Sequence, residues 1–115
     1  MAAPIAHYSK WYRGGDYVFV SGQLGLRDGA LVEGVEAQAR VALGNVAEAL
    51  AEADGTLDDV VKCLVFMTDI ADFAAINAVY AEAFGKHRPA RSAIGVAALP
   101  LGAEVEIEAI AHLPA

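Results

Sequence analysis

The chain has 115 residues, 57% hydrophobic and 20% charged, a balance that excludes intrinsic disorder and suits one compact domain spanning residues 1–115. Fifteen acidic against eight basic residues give a net charge of −7, a sign that repels phosphate backbones and argues against general nucleic-acid binding. One cysteine, Cys63, excludes an internal disulfide and any multi-cysteine metal cluster.

The N-terminal stretch from Met1 to Tyr8 has neither the basic flank nor the continuous apolar segment of a signal peptide, and no apolar run approaches the roughly 20 residues of a membrane span. A cytoplasmic protein without a membrane partner is expected. Tyr17-Val-Phe-Val-Ser-Gly22, behind the turn signal Gly14-Gly15-Asp16, reads as a strand. A short second strand around Leu24 to Leu26 leads into the turn Arg27-Asp28-Gly29. From Glu33 to Ala53 the period becomes helical, with Ala39, Leu43, Val46 and Leu50 on one face and Glu36, Arg40, Glu48 and Glu52 on the other. Gly44 falls on the polar face, and Gly55 suits the left-handed position that closes the helix.

After the turn Thr56-Leu-Asp-Asp59, Val60 to Thr68 reads as a strand. Its faces are Val61, Cys63, Val65, Met67 and Val60, Lys62, Leu64, Phe66; both are mostly apolar, so both need cover. Asp69 can cap a second helix from Ile70 to Phe84, with a stripe of Phe73, Ile76, Tyr80 and Phe84, and Gly85 closes it. Strands from Ser92 to Ala98 and from Glu104 to His112 follow, joined by the turn Leu99-Pro100-Leu101-Gly102. The order β-β-α-β-α-β-β predicts an α+β fold with two helices on one face of a sheet. Two helices cannot cover the second face as well, so another copy of the chain is the expected partner.

Candidate chemistry is sparse. Lys86, His87, Arg88 and Arg91 fall within six residues, and Arg91 opens a strand, where its planar fork could clamp a carboxylate. A solvated basic loop accounts for Lys86 and Arg88 as well. Glu104, Glu106 and Glu108 alternate on one strand face at roughly 7 Å intervals, and one of them near an arginine could act as general base; a solvent-facing surface is the plainer account. Asn77 lies within the apolar stripe of the second helix and must find a partner, with a neighbouring loop favoured over a ligand. Ser21 ends a strand beside Gly22, with no histidine spaced to activate it. Cys63 sits mid-strand among valines, which suits inert burial. His7, His87 and His112 show no metal-ligand spacing, and Tyr8, Trp11 and Tyr12 form an aromatic cluster that packing can explain.

Several segments then carry a resemblance in order along the chain. They are Ser21-Gly22-Gln23, Asn45-Val46, Val60-Val61-Lys62, Asp72-Phe73, Asn77-Ala78-Val79-Tyr80, Pro89-Ala90-Arg91-Ser92, Leu99-Pro100 and Glu106-Ile107-Glu108-Ala109-Ile110-Ala111. From about Tyr8 to Ala111 the sequence resembles the reactive intermediate deaminase family (RidA, YjgF-like), whose older name is endoribonuclease L-PSP. The resemblance implies a chorismate-mutase-like mixed sheet with two helices on one face, assembled as a homotrimer with ligand clefts between subunits. It implies hydrolysis of 2-imino or enamino acids of the 2-iminobutanoate and 2-iminopropanoate type to 2-oxo acids and ammonia, with no metal or organic cofactor.

Position by position, the resemblance makes Arg91 the arginine that grips the substrate carboxylate and Glu106 the glutamate near the attacking water. Tyr8 becomes the tyrosine of the cleft, Ser21 and Gly22 its strand-end lining, and Asn77 an asparagine near the site. Two departures stand out. The cysteine that follows Ala-Arg-Ser in the family is Ala93 here, and Gly-Pro-Tyr-Ser-Gln is Ala6-His7-Tyr8-Ser9-Lys10. A non-catalytic trimer that binds small 2-oxo acids is the alternative reading, and Arg91 would serve both. A ribonuclease, as the older name has it, fits the charge least well.

Overall fold

The computed structural model describes residues 6–115; the signal-peptide reading, which depends on residues 1–5, falls outside the described residues. Aromatic and β-branched residues from Trp11 onward fold into a hairpin of β1 (Trp11–Gly14) and β2 (Tyr17–Leu24), turned at Gly15, whose φ of 60° suits glycine. β1 is absent from the expected elements because its two aromatic residues are followed by Arg13 and a glycine pair, too short a run to read as a strand. The Asp28-Gly29 turn joins two-residue arms, β3 (Leu26–Arg27) and β4 (Ala30–Leu31), and both turn residues have positive φ, 54° and 82°. The strand expected from Leu24 to Leu26 is therefore divided between the end of β2 and the start of β3.

Helix α1 (Val35–Glu52) buries Ala39, Leu43, Val46 and Leu50 and exposes Glu36, Arg40, Gly44, Glu48 and Glu52, as its period requires. At its end the Gly55 amide donates to Leu50 O at 2.8 Å and the Asp54 amide to Ala51 O at 3.0 Å. The left-handed residue is Asp54 (φ 66°), not Gly55. Asp54 tolerates that conformation through its short polar side chain, while Gly55 answers a different need: a Cβ there would lie 2.5 Å from Leu113 Cδ1.

A turn of 3-10 helix over Leu57–Asp59 is capped by Thr56, whose amide donates to Asp59 Oδ2 at 2.8 Å. Strand β5 (Val60–Met67) then enters the sheet with a bulge between Val60 and Lys62. The bulge corrects the expected faces: Val60 joins Cys63, Val65 and Met67 inside, and Val61 is turned outward. Asp69 caps a 3-10 turn over Ile70–Asp72 rather than the helix itself, accepting from the Ala71 amide at 2.9 Å. Helix α2 is Phe73–Phe84, and Gly85 (φ 62°) closes it. Its buried stripe is Ile76, Val79, Tyr80 and Phe84; Phe73, expected inside, is 39% exposed. β6 (Ala90–Gly95) and β7 (Val105–His112) complete the chain, β6 two residues earlier than expected and β7 without Glu104.

The five long strands form one mixed sheet, ordered β1-β2-β7-β5-β6, in which only β5 and β6 run parallel. Both helices pack with the inner residues of β2, β5 and β7 into one core cluster. The other sheet face carries Phe19 (46% exposed), Leu64, Phe66, Ile94 (44%) and Ile110, and among the described residues no helix or further strand lies over it. Among the described residues no helix is long and apolar enough to cross a membrane.

Close approach also fixes how α1 meets the end of β2. A Cβ on the buried Gly25 would lie 2.5 Å from Gln38 Cα and 2.8 Å from its carbonyl oxygen, and helix backbone cannot step aside. We expect Gly25→Ala to lower stability by about 2–3 kcal/mol, the upper range of overpacking, and Gly55→Ala by about 1 kcal/mol because only the Leu113 side chain must move. Urea unfolding of the two variants checks this, and equal losses would contradict it.

Candidate active site

A second bulge, in β2 between Val20 and Gln23, lies opposite the Glu106 end of β7. There the missing side chain of Gly22 makes room for a carboxylate: a Cβ on Gly22 would collide with Glu106 Oε2 and lie 2.7 Å from its Cδ. The bulge thus carries Ser21 and Gly22 out of register and seats Glu106 against the strand backbone. Burial in this seat, and then the neighbouring Glu108, push the Glu106 carboxyl above its usual range. Glu108 shares the strand face, whereas Glu104 does not extend the series. It precedes β7 and turns to α1, where Gln38 Nε2 donates to its Oε2 at 3.3 Å and its own amide donates to Gln38 Oε1 at 2.9 Å.

Around this seat opens a groove of about 1760 Å³, lined among others by Tyr8, Ser21, Gly22, Leu101, Glu106 and Glu108. Its floor is tied to α1 by Asn45, whose Nδ2 donates to Leu24 O at 3.2 Å and Leu26 O at 3.0 Å. Tyr8, 48% exposed, stands at the rim on a segment held by Ser21, whose Oγ donates to Ser9 O at 2.6 Å. Ser21 is thereby a structural donor. Leu101, also on the rim, is held at φ 61°, a conformation a bulky side chain rarely takes. Lys10 lines the groove, while His7 is exposed outside the lining.

Arg91 is elsewhere. It pairs in register with Cys63, and Cys63 with Ala109, all on the sheet face that carries the helices, whereas Glu106 pairs with Phe66 on the open face. Within one chain the two expected catalytic residues therefore stand on opposite faces of the sheet. Arg91 Nη1 donates to Asn77 Oδ1 at 2.8 Å, and its guanidinium lies 4.8 Å from the Tyr80 ring centre and 5.5 Å from that of Phe73. Asn77 thus finds Arg91 rather than a loop, which corrects the expected partner. The exposed Phe73 also has its explanation here, as one wall of the arginine's cage.

Tyr80 Oη is buried with no hydrogen-bond partner of normal geometry, beside the buried Cys63 thiol. Burial pushes both groups up, so the phenol stays neutral beneath Arg91 and the thiol stays protonated and inert. Sequence reading misses Gln38 and Asn45, two polar residues whose helical period points them inward; that inward period is the signal that could have marked them. Among the described residues no three histidine, cysteine, aspartate or glutamate side chains gather as a metal site.

Residues 1–113 match a family described as Endoribonuclease L-PSP. A protein of Capra hircus named 2-iminobutanoate/2-iminopropanoate deaminase is 46% identical over 112 residues, covering 95% of this chain and 82% of that one. The crystal structure of RidA from the Antarctic bacterium Psychrobacter sp. superposes with a TM-score of 0.94 at 42% identity, over 96% of this chain and 92% of that one. E. coli TdcF, solved with bound serine, superposes with a TM-score of 0.92 at 39% identity, over 96% and 91%.

The raised Glu106 carboxyl has a consequence for stability. A carboxyl raised in the folded state contributes stability that is present below the unfolded value, about 4.3, and is lost as pH rises through the folded one. Glu106→Gln should therefore be the more stable protein at pH 7, with the difference closing as pH falls towards 4. Denaturant titrations of both proteins at several pH values measure the gap; a less stable Glu106→Gln at pH 7 would contradict the assignment.

Proposed function

The chain belongs to the RidA (YjgF-like, L-PSP) family, and on that premise we propose that it is a deaminase hydrolysing small 2-imino acids, of the 2-iminobutanoate and 2-iminopropanoate type, to 2-oxo acids and ammonia. The observation that carries the reading is the Glu106 carboxylate, seated against Gly22, facing an open groove and made more basic than an ordinary glutamate. A general base gains efficiency as its pKa approaches the working pH.

In this reading Arg91 pairs with the substrate carboxylate through its planar fork and so fixes the position of C2. Its remaining donors are available because Asn77 takes Nη1 and the Tyr80 face supports the plane. Glu106 accepts a proton from water as the water oxygen bonds to C2 and hands it to the imine nitrogen, giving a neutral carbinolamine. Glu106 then takes the carbinolamine hydroxyl proton as the C2 carbonyl forms and passes it to the nitrogen as the C–N bond breaks, so that ammonia leaves and the carboxylate is restored. Tyr8, Ser21 and Gly22 line the groove that holds the substrate, and the chemistry needs no metal or organic cofactor.

Two features support a site shared between copies of the chain. Arg91 and Glu106 stand on opposite faces of one sheet, and Arg91 lies on the edge strand β6, at the margin a second copy can approach. The groove is also open to the outside, where a second copy can close it around a four-carbon acid. A homotrimer with clefts between subunits meets both needs and covers the open apolar face. A cytoplasmic setting is part of this reading.

A coupled assay in which 2-iminobutanoate is generated in place tests the reading. Arg91→Ala should lose about 10–150-fold in kcat/KM, the range for a charged hydrogen bond left unmade. Glu106→Gln should lose about 10²–10⁴-fold in kcat. Wild-type rates in both variants would sink the mechanism. Binding of 2-oxobutanoate without ammonia release by the wild type would establish the non-catalytic carboxylate binder instead.

A further inference from the structure

Glu52 is out of place by local rules. It is the last residue of α1, where the carbonyl ends of the helix disfavour a carboxylate, and no basic residue shares that last turn. What it reaches explains it. Its two oxygens accept from Lys10 Nζ and, at 3.0 Å, from Trp11 Nε1, residues more than forty positions away in the chain. These donors hold its carboxyl below the usual range.

Trp11 begins β1, which among the described residues pairs with β2 alone, and sits opposite Val20, just before the β2 bulge. The preceding residues are bound to the bulge from the other side: Ser21 Oγ donates to Ser9 O at 2.6 Å and the Ser21 amide to Lys10 O at 3.0 Å. Tyr8 stands on this same segment, at the rim of the groove. We propose that Glu52 is a positioning residue: by accepting from Lys10 and Trp11 together it anchors residues 6–10 to the end of α1 and so holds Tyr8 where the substrate groove requires it. An exposed ion pair alone fixes little. Here one carboxylate receives a flexible ammonium and a rigid indole N–H, and the indole leaves the strand one position to move in. The kinetic part of this inference rests on the deaminase reading of the groove; the mechanical part rests on the contacts alone.

Trp11 is the only tryptophan in the chain, so its fluorescence reports on the anchor directly. In Glu52→Ala we expect red-shifted emission, stronger acrylamide quenching and faster amide hydrogen exchange over residues 8–11. KM for 2-iminobutanoate should rise roughly three- to tenfold, with kcat within twofold of wild type. Glu52→Gln keeps an acceptor for the indole but not the charge for Lys10, so it should fall between, and it stands in if Glu52→Ala fails to fold. Unchanged fluorescence and exchange would show that no anchor exists. A loosened segment with unchanged KM would reduce Glu52 to a structural contact and overturn the positioning role. If the wild type releases no ammonia, the deaminase reading fails by itself. The positioning role is then decided by 2-oxobutanoate binding, which must weaken by the same factor in Glu52→Ala; an unchanged Kd rejects it.

Discussion

Two helices laid side by side cover one face of a five-stranded sheet and leave the other to be covered by something else. β5 is apolar on both faces, yet α1 and α2 bury only Val60, Cys63, Val65 and Met67, and Leu64 and Phe66 stay partly exposed with Phe19, Ile94 and Ile110 beside them. Burying several hundred Å² of such surface favours association by on the order of 10 kcal/mol before association costs. The same one-sidedness governs the chemistry. Whatever points from the sheet to the helices is built into the chain's own core, and whatever points the other way waits for a neighbour. Arg91 belongs to the first group and Glu106 to the second.

Each side prepares its residue differently. On the helix side the arginine is fixed in plane and orientation by an amide oxygen and two aromatic rings, while Tyr80 and Cys63 beneath it are kept neutral by burial. The orphaned phenol hydroxyl is an unfavourable feature of the core, and it sits under the residue with the most demanding geometry. On the open side a carboxylate is pressed against a strand backbone that only glycine allows. The orphaned hydroxyl thus lies under the arginine, and Leu101, with its positive φ, lies on the rim of the groove around the glutamate.

Much of this was legible in the sequence. The 3.6-residue period placed α1 and α2 within a few residues, and the doubly apolar β5 foretold the uncovered face. Bulges were not legible, because a bulge changes no residue type: the Val60–Lys62 bulge exchanged Val60 and Val61 between faces, and the Val20–Gln23 bulge created the Glu106 seat. Gly55 looked like a left-handed cap and proved to be a close-packing glycine, while its neighbour Asp54 took the positive φ. Asn77 looked like a loop cap and proved to hold Arg91. In each case the residue type was informative about a constraint and silent about which of two constraints applied. That Arg91 and Glu106 face apart needs the register of β5 against both neighbours, which no single strand's pattern contains.

The central claim is that a working site draws Arg91 from one copy of the chain and Glu106 from another. Co-refolding equal amounts of Arg91→Ala and Glu106→Gln subunits tests it most directly. If sites are shared around a closed ring, about one site in four pairs an intact arginine with an intact glutamate, and about a quarter of wild-type deaminase activity should return, above the level of either impaired parent. A mixture no more active than its parents, although mixed assemblies are present, would place both residues in one chain's site and contradict the account.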